Sequence, residues 1–284
     1  MIEIRHKDTG EVLRTVDAQS LVDADLREDI LDGADLRDAD LSGAWLHETD
    51  LVGADLTGAR LTGAVMFRSQ LDGANLSGAL FEQAKFSDGS PGSGAVLTNS
   101  DLRGARLLAC DLRYVDFHGA DLSDAVIERS DLSDACLRDC RLLRARIKDS
   151  LLIEALMSGC NLADADIQNT HLNGVKLLRA NLDGARIGGV GSRIPSVLNL
   201  ANMREATLIG ADLRGVLLRD VNLHGANLTG ANLAGAQLMG AVLRHADVTD
   251  ADFTDVSLVS TSITFANFSK ARNARIPSFK ENVR

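Results

Sequence analysis

An apolar side chain recurs at every fifth residue of this chain in three unbroken runs, Leu21 to Phe86, Leu97 to Ile187 and Leu198 to Phe268. The runs hold 14, 19 and 15 repeats, 48 in all. Two places before the centre of each repeat the residue is almost always Ala, Ser, Thr, Cys or Val, with Asp29 before Leu31 an exception. A period of five matches neither a free helix nor a simple strand, so ordinary amphipathic elements do not describe the chain. Repetition on this scale sets the architecture of the whole molecule.

One apolar and one small residue in every five are buried together only if the chain turns a corner at each repeat. Four corners close a square coil of about 20 residues, and such coils stack at a strand-like spacing of roughly 4.8 Å. The expected fold is therefore all-β, a four-sided helix of about twelve coils on the order of 58 Å long. Central residues such as Leu36, Leu132 and Leu233 point inward beside the small residue. The other three positions face water and carry Asp, Asn, Arg, Ser, Thr and Gly. Backbone groups pair between coils, which satisfies them without a conventional sheet.

The repeat stands openly in Ala34-Asp35-Leu36, Ala54-Asp55-Leu56, Ala226-Asn227-Leu228 and Ala231-Asn232-Leu233. These residues resemble the pentapeptide-repeat family, whose motif is A(D/N)LXX, and the resemblance covers about residues 19–270. It implies a right-handed quadrilateral β-helix, a solenoid with one repeating core.

The ends leave the pattern. Residues 1–18 hold two β-prone runs around Asp8-Thr9-Gly10, which read as a hairpin capping the first coil. Residues 271–284 form a second cap or tail, and by resemblance to relatives this end is also a candidate for homodimerisation. Residues 87–96 and 188–197 break the phase, each adding one residue beyond a multiple of five. Both are rich in Gly, Ser and Pro and read as loops leaving a corner. They are either tolerated insertions or recognition elements, the latter pointing to Ser90, Pro91, Arg193 and Ile194.

Catalytic chemistry finds no foothold. Asp stands before the centre in 14 repeats, placed there by repetition on a solvated face rather than paired for acid–base work. His224 and His245 are expected as neighbours on adjacent coils, too few ligands for a metal site. Cys110, Cys140 and Cys160 occupy the small inward position in place of Ala, and Cys140 and Cys160 are expected to stack on adjacent coils with their sulfurs held apart. No phosphate loop or nucleophile elbow appears. The expectation is a non-enzyme without cofactor or metal. No run approaches the ~20 apolar residues of a membrane span, and no signal-peptide core is present, giving a cytoplasmic protein.

Charge is uneven. Residues 1–86 carry 17 acidic and 8 basic side chains, residues 87–187 carry 15 and 12, and residues 188–284 carry 8 and 10. Asp25, Asp35, Asp40, Asp50 and Asp55 mark the acidic end, with Trp45, the sole tryptophan, among them. Trp45 is either an interface anchor or a residue covered by the hairpin. Such a field repels nucleic acid directly and attracts basic protein surfaces. In residues 150–157, Leu151, Ile153 and Leu156 face outward behind Arg138, Arg141, Arg144, Arg146 and Lys148, a candidate docking patch.

The family resemblance adds a concrete partner. Its quinolone-resistance branch mimics duplex DNA and binds type II topoisomerases, which implies DNA gyrase or topoisomerase IV for an acidic member. The N-terminal hairpin and the neutral-to-basic last third depart from that branch. The alternative is a scaffold, regulator or effector that binds an unrelated protein.

Overall fold

A computed structural model of the chain describes residues 1–188 and 194–278. They fall into two compact units, Met1–Arg141 and Leu142–Arg284, here the N-terminal and C-terminal units. Among the described residues there is no α-helix, and no helix is long and apolar enough to cross a membrane.

Strands β1 (Ile2–Arg5) and β2 (Val12–Val16) pair antiparallel as a hairpin, with Ile4 buried beneath it. The hairpin seals the open side of the first coil. Lys7 N–H donates to Gly33 O at 2.8 Å, and Asp35 N–H donates to Arg5 O at 2.7 Å. These bonds satisfy backbone groups that no earlier coil could reach. The hairpin also explains Asp29, which takes an inward place normally held by a small residue. Its Oδ2 lies 3.1 Å from Arg14 Nε, a close ion pair without hydrogen-bond alignment. Burial pushes this carboxyl above its ordinary pKa, and Arg14 opposes the rise.

Most repeats turn their corner in the same way; at two of the exceptions Cys110 N–H donates instead to Ser130 Oγ and Thr170 N–H to Ser196 Oγ. The N–H three residues after the centre donates to the centre's carbonyl, as in Ala54 N to Leu51 O at 3.0 Å and Ala231 N to Leu228 O at 2.9 Å. The residue two after the centre is left-handed, with φ of +61° at Gly53 and +55° at Asp38. Gly, and to a lesser degree Asn and Asp, visits that region most readily, which explains their frequency at this corner, although residues such as Glu28, Arg68, Tyr114 and Phe265 hold it as well. Before the centre, an Asp or Asn Oδ1 accepts the N–H of the residue two further on. Val52 N to Asp50 at 3.1 Å and Thr229 N to Asn227 at 3.0 Å are two instances. The acidic or amide residue of the motif is thus a turn cap.

Coils join by parallel backbone pairs. Asp55 N–H donates to Ala34 O and Leu36 N–H to Asp55 O, both at 2.8 Å. In the N-terminal unit the ladder is regular enough to form β3 (Leu80–Glu82), β4 (Arg106–Leu108) and β5 (Val126–Glu128), paired in parallel. In the C-terminal unit β6 (Arg146–Lys148) pairs with β7 (Asp166–Gln168) in parallel. Central residues fill the interior: Leu36 is 2% exposed, and Leu132 and Leu233 are fully buried.

Where the small position is polar, its hydrogen finds a carbonyl. Thr49 Oγ1 donates to Leu26 O at 2.8 Å, Ser130 Oγ to Leu107 O at 3.0 Å and Cys140 Sγ to Phe117 O at 2.8 Å. Burial therefore leaves these groups satisfied.

The first phase break is a short, tightly bonded excursion. Ladder partners that are 20 residues apart before it, as Val65 and Lys85, become 26 apart across it, as Gln70 and Val96. Ser87 and Ser93 are buried with their hydroxyls 2.8 Å apart, Ser90 N–H donates to Asp88 Oδ1 at 2.8 Å, and Ala95 N–H donates to Phe86 O at 2.8 Å. The second break lies partly outside the described residues, but His171 and Val197, 26 residues apart, are ladder partners across it.

Candidate protein-binding surfaces

The acidic residues of the first coils are spread over four walls rather than gathered on one. Asp25 stacks on Trp45, Ile30 on Asp50, Asp35 on Asp55 and Asp40 on Arg60, each pair belonging to a different side. Most carry a local counter-charge. Arg27 grips Asp25 through two bonds of 2.6 Å, and this hydrogen bonding holds the Asp25 carboxyl at about 2. Arg37 grips Asp35 at 2.8 and 2.6 Å and approaches Asp55 at 3.9 Å. Asp40 accepts from Ser42 Oγ at 2.5 Å and lies 3.9 Å from Arg60. Asp50 caps its own turn.

The signal for this pairing is in the sequence as Asp-Leu-Arg. With the Leu inward, both flanking residues emerge on one wall within reach of each other. The same grip recurs at Asp101-Leu102-Arg103, Asp111-Leu112-Arg113 and Asp212-Leu213-Arg214. These pairs are exposed or half-buried at the surface, so each contributes little stability, typically about 1 kcal/mol or less. Their consequence is electrostatic, since they quench part of the acidic field.

Trp45 is not covered by the hairpin. It is 47% exposed, with the Arg27 guanidinium 5.8 Å above its ring. Its neighbour His47 meets it edge-on at 6.0 Å and stacks on Phe67 at 4.6 Å. An aromatic column with a cation on top is fixed in place by stacking and cation–π attraction. Ser90 and Pro91 belong to the bonded excursion, both at its exposed edge. Ser93 O, in the same excursion, accepts from Arg68 N–H at 2.9 Å.

In the C-terminal unit Leu151 and Ile153 are exposed, while Leu156 is half-buried. Ile194 is exposed, and Arg193 lies outside the described residues. His224 and His245 meet edge-on at 5.3 Å, and His245 stacks on Phe265 at 5.1 Å. Among the described residues no group of three His, Cys, Asp or Glu side chains is placed to hold a metal. All four cysteines are thiols, and burial pushes Cys110 up to about 12.

Coils of five-residue sides, capped turns and an inward ladder define a β-solenoid built from short repeats. The chain belongs to the pentapeptide-repeat family. The family described as Pentapeptide repeats matches it in eight copies, over residues 20–58, 49–88, 93–129, 119–144, 160–190, 196–235 and 236–272. Among solved structures it is similar to HetL, a pentapeptide repeat protein involved in heterocyst differentiation regulation from the cyanobacterium Nostoc sp. strain PCC 7120. That match has 28% identity and a TM-score of 0.28, covering 77% of this chain and 86% of that one. The plasmid-mediated fluoroquinolone resistance protein QnrB1 matches at 20% identity and a TM-score of 0.34, covering 73% of this chain and 89% of that one. A pentapeptide repeat protein of the Arabidopsis thaliana thylakoid lumen matches at 26% identity and a TM-score of 0.33, covering 36% and 67%. No curated protein matches the chain significantly.

Proposed function

We propose that this protein is a non-catalytic binding solenoid whose N-terminal unit offers an acidic surface to a basic protein groove. One observation carries the reading. Met1–Arg141 contains 27 acidic and 14 basic residues, net −13, whereas Leu142–Arg284 contains 13 and 16, net +3. A field so concentrated steers basic partners and repels nucleic acid. Placing carboxylates on all four walls suits a partner that surrounds its ligand, as a protein enclosing duplex DNA does.

In its most concrete form the acidic unit takes the place of DNA in a type II topoisomerase, DNA gyrase or topoisomerase IV. The test is a gyrase supercoiling assay with and without a quinolone. Low-micromolar protein is expected to inhibit supercoiling or to protect it from the drug, and the effect is expected to weaken as salt rises. Neither inhibition nor protection at that concentration would reject the topoisomerase form. A second reading, a scaffold or regulator for an unrelated protein, is favoured by the exposed Trp45, Leu151 and Ile153.

A further inference from the structure

One wall of the N-terminal unit carries an aromatic square. Leu46 and Met66 point inward and are fully buried, so Trp45, His47, Val65 and Phe67 emerge together on two adjacent rungs. His47 stacks on Phe67, Trp45 meets His47 edge-on, and Trp45 pairs with Val65 along the ladder. At the same height the ladder pairs of the other walls are Asp40 with Arg60, Asp50 with Gln70 and Asp55 with Asn75.

The square already seats a cation. On the rung below, the Arg27 guanidinium lies 5.8 Å from the Trp45 ring while Asp25 holds it through two bonds of 2.6 Å. The electron-rich ring face and the carboxylate favour the same planar cation, so one guanidinium satisfies both. Trp45 is still 47% exposed beside Arg27, which leaves indole surface for a second group.

The charges standing beside the indole extend this match. Asp23 and Glu28, exposed at the two left-handed corners that bound this wall in the first coil, form no ion pair among the described residues. Asp23 Oδ1 leans over Gly43, two residues before Trp45, into the space that a methyl group on that glycine would take. A free carboxylate is thereby set next to the tryptophan, and the glycine makes room for it. Glu48, one coil on from Glu28, is taken by Arg68 at 3.0 Å. Four acids, Asp23, Asp25, Glu28 and Glu48, against two bases, Arg27 and Arg68, leave the surroundings of the indole at net −2. Among the described residues the nearest unpaired cation on this wall is Lys85, two rungs above Trp45 on the same ladder, a separation of about 10 Å.

We propose that the square receives an arginine of a basic protein partner, its guanidinium laid on the open part of the Trp45 ring and bonded to Asp23. Arginine is selected over lysine because a planar guanidinium stacks on an indole and bonds a carboxylate at the same time, as Arg27 does from within the chain. The inference rests on the acidic-surface reading and names the point at which that surface holds its partner, whether a topoisomerase or another basic protein.

The sole tryptophan makes the site its own reporter. The full chain is titrated at low salt with a 12-residue arginine–glycine peptide free of aromatic residues, followed by Trp45 emission, and in parallel with its fluorescein-labelled form, followed by anisotropy. Saturable binding is expected at about 100 µM or below, as for small transient contacts, with the emission changing in step with the anisotropy. A lysine–glycine peptide of equal length and charge is expected to bind at least about threefold more weakly. Trp45→Ala is expected to weaken the arginine peptide at least about fivefold and Asp23→Asn about threefold. Both side chains are exposed, so neither substitution is expected to move Tm appreciably. Anisotropy that saturates while Trp45 emission stays silent, or that ignores Trp45→Ala or Asp23→Asn, overturns the site and leaves the acidic surface standing. Equal binding of the two peptides overturns the choice of arginine. Failure of both peptides to bind overturns the acidic-surface reading, and the site with it.

Discussion

Replacing Leu76 by aspartate is expected to destabilise the N-terminal unit by about 5 kcal/mol, enough to unfold it. Leu76 is fully buried, its N–H donates to Asp101 O at 2.7 Å, and Asn75 O accepts from Leu56 N–H at the same distance. A carboxylate at this place would lose its water and gain no charged partner, since the inward residues stacked on it, Leu56 and Leu102, are apolar and fully buried. Ser77→Asp, one residue on, points the same group at solvent and is expected to change stability by less than ~0.5 kcal/mol. Urea denaturation of the two variants checks the contrast. Equal effects would show that the five-residue phase does not decide which side chain is inside.

Gly94→Ala is expected to destabilise by about 3 kcal/mol. A methyl group built on Gly94 would lie 2.1 Å from Tyr114 O and 2.4 Å from Tyr114 C, both backbone atoms of the next coil. Relief requires the coils to separate there, which strains Asp116 N to Ala95 O, now 3.0 Å. Gly188, at the start of the second phase break, has the same relation to Arg214, with a methyl 2.2 Å from its carbonyl oxygen. Ala at Gly104, where nothing lies within 4 Å, meets only the left-handed φ of +66° and is expected to lose about 1 kcal/mol. Thermal melts of the two variants should therefore rank Gly94→Ala clearly below Gly104→Ala, and the reverse order would refute the close-approach explanation.

Much of the fold was legible because a five-residue period leaves one geometric solution. The phase alone places Leu36, Leu132 and Leu233 inside, and the hairpin signal at Asp8-Thr9-Gly10 marks the seal on the first coil. What escaped the sequence depends on contacts between residues far apart. The first excursion looks like a free loop by composition, yet Ser93 is bound to Arg68, a residue 25 positions earlier. The acidity of Asp25 and Asp35 was plain, while its quenching by Arg27 and Arg37 required knowing that both flanks of an inward Leu share a wall. Leu151 and Ile153 stood out as a contiguous piece, but Val197 and Leu217 join the ladder of Leu151 through His171 by steps of 20 and 26 residues, distances at which a local pattern carries no information.

Four cysteines report directly on which way the side chains face. Cys110, Cys140 and Cys160 are at most 3% exposed at the inward small position, whereas Cys136 stands one place before its centre and is half-buried. Titrating the native protein with an aromatic disulfide reagent should modify one thiol, Cys136, and reach four only after denaturation. Rapid reaction of two or more thiols in the folded protein would mean that the residues assigned to the interior are not enclosed.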